Sequence, residues 1–244
     1  MSKRIKFFLS HLAISVCIAL IIIGIVFFIW YVSPLAQAVG VTHIFLMMLM
    51  VDVIIGPLLG LLVYKEGKKS LKFDLTAIIA IQLAALLYGF YTISQGRPVW
   101  IVYSVDRFEV VRANEVYTQH LDQALPQFQH VSLLSPRFAA IKFAQDSKQR
   151  NKEMFEELFE GIAVSQRPER YVELSLMKSQ IQSKLQPLTE LEKYNHQTAV
   201  QLVLAKYPHV DAWLPLSATA QDMVVLMNRE KAEVVKIVDL RPWN

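Results

Sequence analysis

The sequence predicts a membrane anchor of three transmembrane α-helices followed by an α+β domain, and three observations carry that prediction. Apolar and charged residues are segregated: residues 7–31 and 75–94 contain no Asp, Glu, Lys or Arg, and residues 41–63 contain only Asp52. Each run is long enough to cross a hydrocarbon core about 30 Å thick, which takes roughly 20 residues of helix. After Arg97 the composition changes to a charged mixture, with β-branched and aromatic runs near both ends and helical spacings between them. The expected organisation is a transmembrane region over 1–97, with helices at about 7–31, 41–63 and 75–94, and an outer domain over 98–244.

Orientation follows from the basic residues. Lys3, Arg4 and Lys6 precede the first helix, and Lys65, Lys68, Lys69 and Lys72 lie between the second and third; the connection 32–40 has no charged residue. Lys and Arg are retained on the cytoplasmic side during insertion. The N-terminus and the 64–74 loop are therefore expected in the cytoplasm, and residues 98–244 in the periplasm of a Gram-negative-type cell. Trp30, Tyr31 and Tyr91 fall where interfacial aromatics belong on the outer side, and Tyr64 on the inner side. Ala36-Gln37-Ala38 also fits the small-x-small pattern of a signal-peptidase site, but the preceding apolar run exceeds the about 7–15 residues usual for a signal peptide. An uncleaved anchor is expected.

Composition narrows the partners. The net charge of +4 divides into +5 for the first 97 residues (8 basic, 3 acidic) and −1 for the rest (17 basic, 18 acidic). The excess is a topology signal rather than a basic patch on the outer domain, so nucleic acid is not expected as a partner. The single cysteine, Cys17, lies in the first apolar run, so the outer domain has no disulfide or thiol chemistry.

Within that domain, residues 99–103 and 108–111 read as a hairpin around Ser104–Arg107, with Pro98 ending helical continuity. A strand is expected at 137–144. Residues 146–160 read as a helix with Asp146 as N-cap and Met154, Phe155, Leu158 and Phe159 as its apolar stripe. Leu174, Met177, Ile181 and Leu185 repeat at helical spacing, and Asn195 is expected to cap a helix reaching about Lys206. Residues 223–227 and 232–238 form a second hairpin, which could share a sheet with the first.

Little in the outer domain suggests chemistry. His120, His130, His196 and His209 lack metal-helix spacing, and His209 with Asp211 falls short of the three or four ligands a zinc site needs. Neither a nucleophile elbow nor a phosphate-cradling loop is present. Glu153, Glu156, Glu157 and Glu160 with Lys148, Arg150 and Lys152 read as an ordinary solvated face. No catalytic residue, metal or cofactor is expected.

The membrane region is more pointed. Asp52 lies midway along the second helix, where an ionisable residue is costly and turns toward protein. Gly56 and Gly60 follow on the same face as a small-residue packing stripe, with Pro57 beside them. Gln82 lies at a similar depth in the third helix and could hydrogen-bond Asp52. Asp52, Gly56, Gly60 and Gln82 are the candidate partner-binding residues. Two readings stay open: internal glue for a three-helix bundle, or a contact with another protein's membrane helix. A proton relay is not expected, since Asp52 has no second ionisable residue following it across the membrane.

Several stretches carry a family resemblance: Val41-Thr42-His43-Ile44-Phe45, the run from Asp52 to Leu75, Gly96-Arg97-Pro98-Val99-Trp100 and Asp106-Arg107-Phe108. On these the chain resembles the type IV pilin accessory proteins of the TfpX/TfpZ type, also called FimB-like. The likeness is close in the N-terminal half and looser beyond about residue 115, where Gln166-Arg167-Pro168-Glu169 still fits. It implies a non-enzymatic inner-membrane helper, tied to a major type IV pilin and the pilus assembly machinery, that modulates pilus assembly, retraction and twitching motility. It brings no catalytic residues. The same topology would also suit a periplasmic sensor or regulatory subunit of another inner-membrane complex, or a membrane enzyme with an unrecognised site.

Overall fold

In the computed structural model, residues 1–243 are described. They divide into two units: Met1–Ala36 with Gly40–Arg97, and Gln37–Val39 with the chain from Pro98 onward. The first unit holds three helices, α1 (Lys3–Trp30), α2 (Val41–Val63) and α3 (Leu71–Gln95), each long and apolar enough to cross a membrane. The chain is a multi-pass membrane protein. Ser2 caps α1 by accepting from the Ile5 N–H. Gly40, at φ +74°, supplies the left-handed turn from which α2 starts. Ser70 and Lys68 both hold Asp74 in the first turn of α3, at 2.9 and 2.7 Å.

The middle helix is the centre of this unit, packing against α1 on one side and α3 on the other. Phe45 of α2 is buried edge-on against Phe27 of α1. Towards their C-terminal ends α1 and α3 are tied by the Tyr31 hydroxyl, which donates to the Ile93 carbonyl at 2.7 Å. Tyr31 is thus a buried brace between the two helices. Trp30 stacks near Phe90 and under the Arg97 guanidinium. The Ala36-Gln37-Ala38 segment falls in a helical turn, Leu35–Ala38, with both alanines buried.

The second unit is built on one mixed sheet. Its strands are β1 (Pro98–Ser104), β2 (Arg107–Arg112), β3 (Arg137–Ile141), β4 (Tyr171–Val172), β5 (Gln186–Pro187), β6 (Ala212–Ser217), β7 (Met223–Asn228) and β8 (Glu233–Val238). The order is β4-β3-β1-β2-β6-β7-β8, with β5 also pairing to β6. The two expected hairpins, β1–β2 and β7–β8, therefore share a sheet, joined by β6. A membrane anchor with an α+β domain is the architecture observed.

The joining strand was not predicted, because Pro215 interrupts it and proline cannot donate to a ladder. The pairing explains the tolerance. On the edge of β6 away from β7, β5 pairs with Ala212 and Trp213, and β2 with Leu216 and Ser217. Pro215 lies in the gap between the two, where no N–H is called for. Two cores lie on this sheet: one around Trp100, Phe128 and Tyr171, the other around Leu191, Trp213 and Leu226. Trp100 meets Phe128 and Tyr171 edge-on and lies 4.3 Å from the Arg137 guanidinium.

Three helices complete the unit: α4 (Ser147–Glu160), α5 (Lys178–Lys184) and α6 (Gln197–Leu204). The spacing of Leu174, Met177, Ile181 and Leu185 is divided between a 3₁₀ turn and α5, with Ile181 fully buried. Asn195 does not cap α6, whose N-cap is His196. Its amide instead bridges backbone at the chain's end, donating to the Leu191 and Arg241 carbonyls and accepting from the Arg241 N–H.

The largest departure is α4. Asp146 caps it as expected, but its faces are reversed. Met154, Phe155, Leu158 and Phe159 are 52, 57, 71 and 78% exposed, while Glu153 is 4% exposed. Glu153 accepts from Arg170 at 2.8 Å, and Glu156 is paired with Arg167. Glu153 and Glu156 therefore do not belong to a solvated face, whereas Glu157 and Glu160 stay exposed as expected. The cause lies in the Arg167-Pro168-Glu169-Arg170 turn. Arg167 is 2% exposed, with its guanidinium 4.6 Å from the centre of the Tyr117 ring. A buried cation must be matched by an anion, and α4 supplies it.

Candidate functional site: a groove beside a polar cluster among the membrane helices

The polar residues of the membrane unit converge, and the backbone of α2 is the reason. Over Val51–Ile55 the helix widens into a π turn, in which the Gly56 N–H reaches back to the Val51 carbonyl. The next bond in that register would run from residue 57 to the Asp52 carbonyl, but residue 57 is proline and has no N–H. A backbone acceptor is left open in apolar surroundings, where leaving it unmet is costly. Gln82 of α3 closes it: Nε2 donates to the Asp52 carbonyl at 2.6 Å. The same amide nitrogen donates to Ser15 Oγ at 3.4 Å, and Oε1 pairs with His11 Nε2 at 3.0 Å.

The structure thus brings Asp52 and Gln82 together, through the backbone carbonyl of Asp52 rather than its carboxylate. Gly56 and Gly60 are where the face predicts, and each is required by a different neighbour. A Cβ on Gly56 would fall 2.6 Å from Gln82 Nε2, and one on Gly60 would fall 2.9 Å from Phe7 and 3.4 Å from His11 Nδ1. Sequence reasoning missed His11 and Ser15. Their signal was present: they are a histidine and a serine four residues apart in an otherwise apolar helix, hence on one face.

Above this cluster α1 and α3 diverge and leave a groove of about 360 Å³. Ile14 and Ile18 of α1 and Ile79, Leu83 and Leu86 of α3 line it, His11, Ser15 and Gln82 border it, and the surface it presents is almost wholly apolar. Beside Gln82 lies a smaller cavity of about 30 Å³ bordered by Ser15, Leu49 and Asp52, about the volume of one water. Asp52 is 5% exposed, and its Oδ1 and His11 Nδ1 are buried with no hydrogen-bond partner among the described residues. A groove of this kind has the apolar lining that suits an apolar segment.

The outer unit holds a more polar pocket of about 310 Å³ bordered by Ser104, Asp106, Arg107, Glu109 and Glu157. His209 offers its carbonyl to Asn228, and Asp211 accepts from the Arg229 N–H, holding the β7–β8 turn. No group of three or more metal-ligating residues occurs among the described residues.

Known proteins place the chain. The model of the family described as "Fimbrial assembly protein FimB" matches residues 1–40, the stretch that contains His11 and Ser15. The fimbrial assembly protein of serogroup I from Dichelobacter nodosus is 31% identical over 182 residues, covering 74% of this chain and 70% of the relative. The serogroup E1 protein matches to the same extent. The chain belongs to the FimB-like fimbrial assembly family. The protein of serogroups C1 and C2 is 33% identical over 116 residues, covering 47% of this chain and 88% of that relative. No solved structure matches. Family membership agrees with the resemblance carried by the Asp52–Leu75 run.

Proposed function

We propose that this protein is a non-enzymatic inner-membrane accessory protein of type IV pilus assembly, and that the α1–α3 groove receives the apolar membrane helix of a major pilin. The reading is supported by membership of an assembly family together with an apolar intramembrane groove bordered by His11, Ser15 and Gln82. That groove is the single observation that carries it. Pilins wait in the membrane as an apolar N-terminal helix bearing a soluble head, so a partner gains from a surface for the helix and a domain for the head. In this reading the N-terminus is cytoplasmic and the domain from Pro98 is periplasmic, the orientation that the distribution of basic residues supports. Asp52, Gly56, Gly60 and Gln82, joined by His11 and Ser15, form the partner-binding cluster. Gly56 and Gly60 act by letting Gln82 and His11 approach α2. Asp52 borders the small cavity behind Gln82 rather than the groove itself, so in this reading its carboxylate acts on the incoming helix through the Gln82 cluster. Its assistance acts on pilus extension and retraction, and so on twitching motility.

Asp52→Asn tests this, since it keeps a hydrogen-bonding group of nearly the same shape and removes the charge. The variant is expected to accumulate normally while co-purification with the pilin falls severalfold. A second variant, Leu83→Trp, fills the groove without altering the polar cluster and is expected to lower co-purification in the same way. Unchanged association in both, at normal protein levels, contradicts the reading. A clean deletion should lower surface piliation and twitching more than growth; intact piliation would favour a sensor or regulatory subunit of another complex.

A further inference from the structure

We propose that the outward face of α4 seats on an anionic phospholipid surface, making this helix a second, interfacial membrane contact of the outer unit. The inference does not rest on the pilin reading. Helix α4 turns two carboxylates inward, Glu153 to Arg170 and Glu156 to Arg167, and presents Met154, Phe155, Leu158 and Phe159 to the outside. The Phe155 and Phe159 rings lie nearly parallel, 12° apart with centres 5.6 Å from each other, as one continuous apolar surface. Exposed basic residues border it on both sides. Lys148 and Lys152 precede Phe155 and Phe159 by seven positions each and so share their line along the helix, while Arg150 stands one turn before Met154.

Taking Glu153 and Glu156 inward also changes the charge on offer. Of the ionisable residues on α4, those left exposed are Lys148, Arg150 and Lys152 with Glu157 and Glu160, three minus two, or +1. Lys152 approaches Glu156 at 3.6 Å but remains 65% exposed, free to redirect its ammonium group. A helix with Phe, Leu and Met along one line and Lys and Arg at its borders lies in the plane between headgroups and acyl chains, the basic side chains reaching up to phosphate. That surface is always at hand, because only Gly96 and Arg97 separate α3 from β1. Charge complementarity and this tether select lipid over a protein partner as the occupant.

The test uses the full chain, with Cys17→Ala and Asn151→Cys carrying an environment-sensitive fluorophore on the apolar line, in nanodiscs of phosphatidylcholine with or without phosphatidylglycerol. With phosphatidylglycerol present, emission is expected to shift to shorter wavelength and to be quenched by lipids spin-labelled just below the headgroup. A fluorophore at Glu233→Cys should show neither effect. Phe155→Ser with Phe159→Ser, and separately Lys148→Glu with Lys152→Glu, should each reduce the quenching severalfold; all four positions are on the exposed face, so folding is retained. Equal water accessibility of the two labels in both lipid mixtures overturns the proposal. Protection that appears only with two chains per disc, or only on addition of another protein, overturns it equally.

Discussion

Gln82 shows how much one side chain settles in the membrane unit. Its amide serves the Asp52 carbonyl, Ser15 and His11 at once, so three helices share a single polar centre. The approach depends on Gly56. Gly56→Ala should force Gln82 away from the Asp52 carbonyl and cost about 1–3 kcal/mol, the range for overpacking a well-filled site. Thermal unfolding in detergent should show this, and Gly24→Ala, where a Cβ meets nothing within 4 Å, should be neutral. Glu169 is the counterpart in the outer unit. Burial pushes its carboxyl above the ordinary value, offset only in part by its own backbone N–H, Arg167, His120 and Arg170. Oε2 has no hydrogen-bond partner. A raised folded-state pKa means that the stability linked to this group is complete below the ordinary value and is lost as pH rises through the elevated one. Glu169→Gln should therefore hold or raise the melting temperature near neutral pH and flatten the gain seen on acidification. A variant that melts lower at neutral pH would show the ionised form to be the stabilising one.

At the scale of elements, α4 separates what a sequence exposes from what it hides. Its existence, its cap and its apolar line were all legible, because periodicity and capping are local. Its direction was not, because that depends on Arg167 and Arg170, whose burial is decided by the sheet and Tyr117. The buried ion pairs yield an expected outcome: Glu153→Ala leaves Arg170 without its anion and should cost about 3–5 kcal/mol. Phe155→Ser on the opposite face should stay within about 0.5 kcal/mol. Tryptophan fluorescence during urea unfolding would separate the two, and the reverse ranking would mean that the helix is turned the other way. Hairpins β1–β2 and β7–β8 were readable from β-branched runs around polar turns, whereas β6 was hidden by Pro215. The membrane spans were readable from length and charge. The cluster was half readable: Asp52 and Gln82 stand out as polar residues at depth. His11 and Ser15 carry no formal charge in a count of Asp, Glu, Lys and Arg, and the freed Asp52 carbonyl belongs to backbone.

The whole molecule is a FimB-like fimbrial assembly protein whose three spans enclose a polar centre and leave a groove open beside it. Its proposed orientation is directly measurable. Alkaline phosphatase should be active when fused after residue 110 and inactive near residue 68, because all seven flanking basic residues lie on one side of the first two spans. The opposite pattern would invert the placement of both units.

The central claim, that the groove holds a pilin helix, is tested most directly by site-specific photo-crosslinking in cells that carry the matched pilin. A photoreactive residue at Ile14 or Leu83, on the two groove walls, should yield a pilin adduct. One at Leu62, 71% exposed and not part of the groove, should not. Adducts of equal yield at all three positions, or none from the groove while Leu62 captures pilin, would contradict the account.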